Sequence, residues 1–186
     1  MTSRNWRGRV FIGTSADGKI ARDDGSLEWL TDPPARHHDV PTTADRPALV
    51  WETFFETVDA IVMGRATYDS VLGFGEWPFE GRHVLVLTTR SVIEDPRVRT
   101  ASSIDDVTRL LDELGARDVY IDGGRTIQSF LRAGLVDELT LSVAPIILGS
   151  GRSLFGELDE DVLLTVRGSH ATDDGLVRTT YDVVAG

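Results

Sequence analysis

The hydropathy pattern predicts an α/β fold whose central sheet is mostly parallel and is finished by antiparallel strands at one edge. Two observations carry this reading. Over the first two thirds of the chain, short apolar, β-branched runs alternate with segments of helical period, whereas after Glu138 only strand-like runs remain. The 186 residues match the size of one domain, so a single domain over 1–186 is expected, with a core that needs no metal or disulfide staple.

Arg9-Val10-Phe11-Ile12-Gly13 reads as a first strand entering a Gly-Thr-Ser-Ala-Asp-Gly turn. Residues 22–48 are rich in Asp, Pro, Thr and Arg without a sustained period, and a loop of this length inside a domain is more often functional than idle. Leu49, Trp51, Phe54, Phe55 and Val58 recur at helical spacing, with Trp51 on the core face, ahead of an unbroken apolar strand at 59–63. A short helix over 66–72 and a strand at 83–87 follow. Ser103 can cap a helix whose Val107, Leu110, Leu111 and Leu114 face one side and which Gly115 stops. After a strand at 118–121, Gly123-Gly124 opens a helix that buries Ile127, Phe130 and Leu131 and ends at Gly134. Residues 138–143, 162–167 and 176–184 complete the strands.

Composition removes several classes of function. A net charge of −11 argues against a nucleic-acid or anionic-membrane surface, so any bound anion requires a local basic patch. The absence of cysteine excludes a disulfide scaffold, a thiolate nucleophile and a Cys-ligated metal. No apolar run approaches the ~18 residues of a membrane span and the start carries no signal-peptide core, so a cytoplasmic location is expected. His37-His38 beside Asp39 lacks a third ligand at metal-binding spacing, and no metal site is expected. No serine lies in Gly-x-Ser-x-Gly, and neither a P-loop nor a full Gly-x-Gly-x-x-Gly is present.

Open α/β sheets bind ligands beyond the carboxyl ends of their strands. Three such ends share one character: Gly64-Arg65-Ala66-Thr67, Thr88-Thr89-Arg90, and Asp122-Gly123-Gly124-Arg125-Thr126. Each sets a glycine or hydroxyl beside an arginine, where backbone N–H groups and a helix N-terminus can meet a phosphate. Taken singly, each is equally a tight turn with a solvated arginine. Together they suit a dinucleotide, which needs separate contacts for its pyrophosphate and its 2′-phosphate. Trp29 and Trp77, in Gly/Pro/Asp-rich loops, could wall an aromatic ligand or simply anchor those loops.

At these residues the chain resembles the dihydrofolate-reductase-like fold, and more closely the reductase domain of the bifunctional riboflavin-biosynthesis deaminase/reductase and its stand-alone relatives. The resemblance rests on Thr14-Ser15-Ala16-Asp17-Gly18-Lys19-Ile20-Ala21, on Gly25 to Leu30, on Met63 to Tyr68, on Ile121 to Leu131, on Gly134 to Leu139, and on Ala144-Pro145-Ile146-Ile147-Leu148-Gly149-Ser150-Gly151. It implies a three-layer fold and an NADPH-dependent oxidoreductase that passes hydride to a C=N or C=O of a small pterin- or aminopyrimidine-like heterocycle, as in 5-amino-6-(5-phosphoribosylamino)uracil reductase or dihydrofolate reductase. It further implies NADPH held by Gly13, Trp29, Thr67 and the helix start at Gly124 to Phe130, Ile127 included, with Arg65, Thr88, Thr89 and Arg90 at the 2′-phosphate. Asp122 matches an acidic substrate contact, and Asp17 lies on the turn beside the nicotinamide. The proton could come from Asp122, Asp17, Glu52 or ordered water. Relatives of this kind dimerise through the C-terminal strands, so a homodimer is expected. Three departures matter: where riboflavin-pathway reductases carry Asp-Asp-Pro-x-Leu-x-x-Arg, this chain reads Leu72-Gly73-Phe74-Gly75-Glu76-Trp77-Pro78; an arginine expected near Phe55 is missing; and the helix carboxylate that binds the pterin ring of dihydrofolate reductases aligns with Ala48, where Glu52 or Asp32 could substitute. A catalytically silent, dinucleotide-binding relative is therefore the alternative.

Overall fold

A computed structural model describes residues 4–32, 47–90, 93–158 and 160–184. In chain order the elements are β1 (Arg7–Ser15), β2 (Lys19–Ala21), α1 (Glu28–Thr31), α2 (Trp51–Thr57), β3 (Ala60–Gly64), α3 (Arg65–Leu72), β4 (His83–Leu87) and β5 (Val98–Ala101). They continue as α4 (Ile104–Leu114), β6 (Asp118–Asp122), α5 (Gly124–Arg132), β7 (Glu138–Ala144), β8 (Arg152–Ser153), β9 (Leu164–Ala171) and β10 (Val177–Val183). Eight strands form one sheet in the order β5-β4-β3-β6-β1-β7-β10-β9, and β2 pairs with β8 in a separate ribbon. All neighbours from β5 to β7 are parallel, while β10 runs antiparallel to both β7 and β9.

Helices cover both faces, which is why the central strands read as unbroken apolar runs. In β3, Val62 turns toward the layer holding Val107, Leu111, Ile127 and Phe130 of α4 and α5. Ile61 and Met63 turn the other way, toward Phe54 of α2 and Tyr68 and Val71 of α3. Helix α4 forms as its sequence indicates: Ser103 Oγ accepts the Asp106 N–H at 3.1 Å, and Gly115 ends the helix at φ 65°.

Besides the short strands β2 and β8, two elements escape the periodicity. β5 is a four-residue edge strand, Val-Arg-Thr-Ala, with only two buried side chains, so its polar alternation looks like loop. The one-turn helix α1 interrupts the segment read as irregular, and Trp29 anchors it in a small cluster with Ala144 and Leu176. The pair His37-His38 lies outside the described residues. Among those described, no helix is long and apolar enough to cross a membrane, and no group of three His, Cys, Asp or Glu is placed to hold a metal ion.

Under α2 the sheet buries an ionic network. Arg9 on β1 donates through Nε to Glu138 Oε1 at 2.7 Å, and Arg167 on β9 bonds Glu138 Oε2 and Asp182. Arg9 also reaches Thr57 Oγ1 at 2.6 Å and Asp118 at 3.3 Å, and its guanidinium carbon lies 4.6 Å from the Phe54 ring centre.

Candidate active site

The three phosphate-suited strand ends, scattered over residues 64–126 in the sequence, belong to β4, β3 and β6, which are consecutive in the sheet. Neighbouring strands lie about 4.8 Å apart, so the three ends form one continuous rim. Two helices, α3 and α5, begin on it. Neither has a capping side chain or an acidic residue in its first turn, and each carries an arginine there, Arg65 and Arg125. Helix α4 serves as an internal contrast, because Ser103 caps it and Asp105 and Asp106 occupy its first turn. An uncapped, acid-free N-terminus leaves its first N–H groups and its positive dipole end to an anion.

These two N-termini touch through residues without side-chain bulk. A Cβ built on Gly64 would lie 3.0 Å from Thr126 Oγ1, and one on Gly123 would lie 2.3 Å from Thr67 Oγ1. Gly123 also sits at φ 87°, a conformation that costs other residues roughly 1–3 kcal/mol. Gly123→Ala is accordingly expected to destabilise the protein by about 2 kcal/mol and to push the two helix starts apart; urea melts check the first effect. A melt like that of the unsubstituted protein would show that the rim yields easily.

Arg65 is half-buried and its Nε donates to Asp69 Oδ1 at 2.8 Å, one turn along α3. Just past β4, Thr88 is buried and its Oγ1 accepts the Arg90 N–H at 3.1 Å, which fixes a turn that leaves Thr89 and Arg90 exposed. Arg125 is exposed at the start of α5, with Gly124 and Thr126 buried on either side. Ile127 departs from the expectation of a cofactor contact: its side chain is fully buried in the core and its N–H already bonds Gly123 O at 2.9 Å. Trp29 departs too, since at 3% exposure its ring is packed inside and offers no open wall. Trp77 lies away from the rim, packed on Tyr68 and Phe79 beneath Arg97.

Next to the rim, on the α2 face, the ends of β1, β7 and β10 form a second row. Gly13 registers with Ser142, and Ser142 with Arg178. Leu30 of α1 stands over Gly13, where a Cβ would come within 2.7 Å of Leu30 Cδ2. Tyr120 shares its face with Phe11 and donates to the Phe11 carbonyl at 3.2 Å, so Asp122, two residues on, emerges on this same face. Asp122 keeps part of its surface open, but the groups packed around its carboxyl push its pKa up. The Gly123 N–H, 2.8 Å from Oδ1, and the Tyr120 hydroxyl oppose that rise without cancelling it. Burial, and then the Asp122 charge, raise the Tyr120 phenol well above its ordinary value.

Glu52 is exposed on the first turn of α2. Asp17 has a different task from the one expected. It accepts the Ser15 hydroxyl at 2.7 Å and the N–H groups of Leu148 and Gly149 at 3.1 and 2.9 Å, clamping the loop after β7 to the turn after β1. Those bonds, the Ser15 hydroxyl foremost, bring its pKa down to about 2. Phe11, Ser142 and Arg178, which the sequence reading did not single out, join the site. So does Trp51, which is 36% exposed and set edge-on against Phe11 and Tyr120 rather than buried on the core face. Only the pairing of β7 with β1 and β10 brings Ser142 and Arg178 to Gly13, and no local pattern announces it.

An eight-stranded α/β sheet of this order, with two open helix N-termini on its carboxyl rim, defines a three-layer protein of the dihydrofolate-reductase-like class. The chain belongs to the family of the RibD C-terminal domain, whose model matches residues 8–178. Its fold is shared, at 37% identity and a TM-score of 0.81, with the crystal structure of a putative riboflavin biosynthesis protein from Shewanella sp. PV-4, covering 96% of this chain and 99% of that one. The uncharacterized protein YwjB of Bacillus subtilis (strain 168) is 28% identical over 164 residues, 86% of this chain and 88% of that protein. Dihydrofolate reductase from Enterococcus faecalis, complexed with NADP(H) and RAB-propyl, has the same fold at 17% identity and a TM-score of 0.60, covering 97% of this chain and 96% of that one. Membership of this family of reductase domains supports a reductase-type role.

Proposed function

We propose that the protein is an NADPH-dependent reductase that passes hydride to a C=N or C=O carbon of a small heterocycle of pterin or aminopyrimidine type. The carrying observation is the pair of helix starts, with no capping side chain and no acidic residue in the first turn, meeting at Gly64, Thr67, Gly123 and Thr126 on one rim. These N–H groups would hold the pyrophosphate. Arg65, Thr88, Thr89 and Arg90 would hold the 2′-phosphate, and the Gly13 main chain would meet the nicotinamide. The cofactor supplies the hydride, and the protein supplies position and a proton. Asp122 is the proton source of this reading because it emerges on the Gly13 face and burial raises its pKa, while Asp17 is committed to the Ser15 hydroxyl and backbone donors and Glu52 is solvated.

Titration of NADPH against the protein's tryptophan fluorescence tests this reading, and no binding at millimolar cofactor would end it. Arg65→Ala and Arg90→Ala should each weaken NADPH about 10-fold, the scale of a charge-assisted hydrogen bond, and NADH far less. Equal losses for the two cofactors would remove these arginines from the 2′-phosphate. A second copy of the chain is the partner this reading includes, seated on the edge where Leu163, Leu164, Val166 and Val184 are exposed; a monomer by light scattering would exclude it.

A further inference from the structure

Arg178 is a partly buried cation to which the cofactor reading gives no task. It stands on β10 opposite Ser142, in the row that continues to Gly13 on β1. Its Nε donates to Ser142 Oγ at 2.8 Å, and its guanidinium carbon lies 5.0 Å from the Phe11 ring centre. Those contacts hold the base of the guanidinium. Among the described residues no carboxylate lies within 4.0 Å of it, whereas Arg9 and Arg167 on the same face both bond Glu138. Burial lowers the Arg178 pKa, and Asp174 and Glu52 only partly oppose this through their charges. A guanidinium withdrawn from water without a close counter-charge is a cost that a ligand's anion can offset.

The position is also informative. Arg178 is two strands from Gly13, roughly 10 Å across the sheet, while Asp122 emerges on the other side of β1. A heterocycle lying along this row, beside Leu30, would thus have an acid at one end and a cation at the other. We propose that Arg178 is the substrate-recognition cation and that its two terminal nitrogens receive an oxyanion, a carboxylate or a phosphate, carried by the heterocyclic substrate. The inference rests on the proposed reductase reading for the placement of the heterocycle, but the anion contact stands on the geometry of Arg178 itself.

Two pairs of probes isolate the oxyanion: dihydrofolate against dihydropterin without the carboxylate tail, and 5-amino-6-(ribosylamino)uracil with and without its 5′-phosphate. Each is titrated calorimetrically against the protein, once alone and once with NADPH. In one pair the anionic member should bind about 10- to 100-fold more tightly than its neutral counterpart. The pair that shows this names the source as carboxylate or phosphate. Arg178→Met should erase the difference and leave NADPH affinity unchanged, and Arg178→Lys should keep part of it. If Arg178→Met does not fold, Arg178→Gln, which retains a donor for Ser142 without the charge, carries the same expectation. Lack of discrimination in both pairs, or discrimination that survives loss of the guanidinium, overturns the proposal. Failure of NADPH to bind instead overturns the cofactor reading, because the probes are also measured without it.

Discussion

Glu138→Ala is expected to destabilise the protein by about 3 kcal/mol, the lower end of the range for breaking a buried ion pair. Glu138 is 1% exposed and holds two arginines at once, Arg9 through Oε1 and Arg167 through Oε2. The arginines differ in what the loss means to them. Arg167 is substantially exposed and keeps Asp182, so water can replace the missing carboxylate. Arg9 is 3% exposed beneath α2 and would retain only Asp118 at 3.3 Å, Thr57 and the Phe54 ring. For a chain of this length 3 kcal/mol corresponds to a fall in Tm of roughly 6–12 °C. Urea melts of Glu138→Ala and of the double variant Arg9→Met/Glu138→Ala measure the effect, and the double variant should regain part of the loss because no buried charge is stranded. A single-variant loss under about 1 kcal/mol, the worth of an exposed pair, would mean that water reaches Arg9.

Asp122→Asn should separate stability from turnover. On the proposed reaction the protonated carboxyl delivers a proton as hydride arrives, and removing such a group lowers kcat about 100-fold or more. Stability should move the other way. The folded pKa of Asp122 is raised by burial above its ordinary 3.8, so the folded state holds the proton more tightly than the unfolded chain. Stability from this group therefore falls as pH rises from the ordinary value through the raised one, and at neutral pH the buried carboxylate is a net cost. Asparagine avoids that cost and keeps an oxygen for the Gly123 N–H. The variant should melt at or above the parent temperature at pH 7, with the gain vanishing in acid below 3.8. An unchanged kcat would remove Asp122 from proton delivery, and a lower Tm at pH 7 would show that the carboxylate is favourably held.

How far the site could be read from the sequence depended on how local each feature is. The glycine and arginine signals at 64–67, 88–90 and 122–126 were legible because each lies in a few consecutive residues at a strand end. For Trp29 and Trp77 the sequence leaves a ligand wall and a loop anchor equally open, and the packing selects the anchor; Ile127, expected at the cofactor, is buried in the core, since exposure in a loop or a helix start depends on what the rest of the chain lays over it. Asp17 was recognisable as a motif residue, but its bonds to Leu148 and Gly149 join positions more than a hundred residues apart.

The sequence by itself determined the α/β class, the capped start and glycine stop of α4, the succession of the main strands along the chain and the three anion-suited strand ends, because hydropathy period, caps and turns act over a few neighbouring residues. Only the tertiary structure decided that those ends form one rim, that Asp122 and Arg178 flank Gly13, and that Glu138 joins two arginines. These depend on strand order and register, which long-range pairing sets and no local stretch of sequence contains.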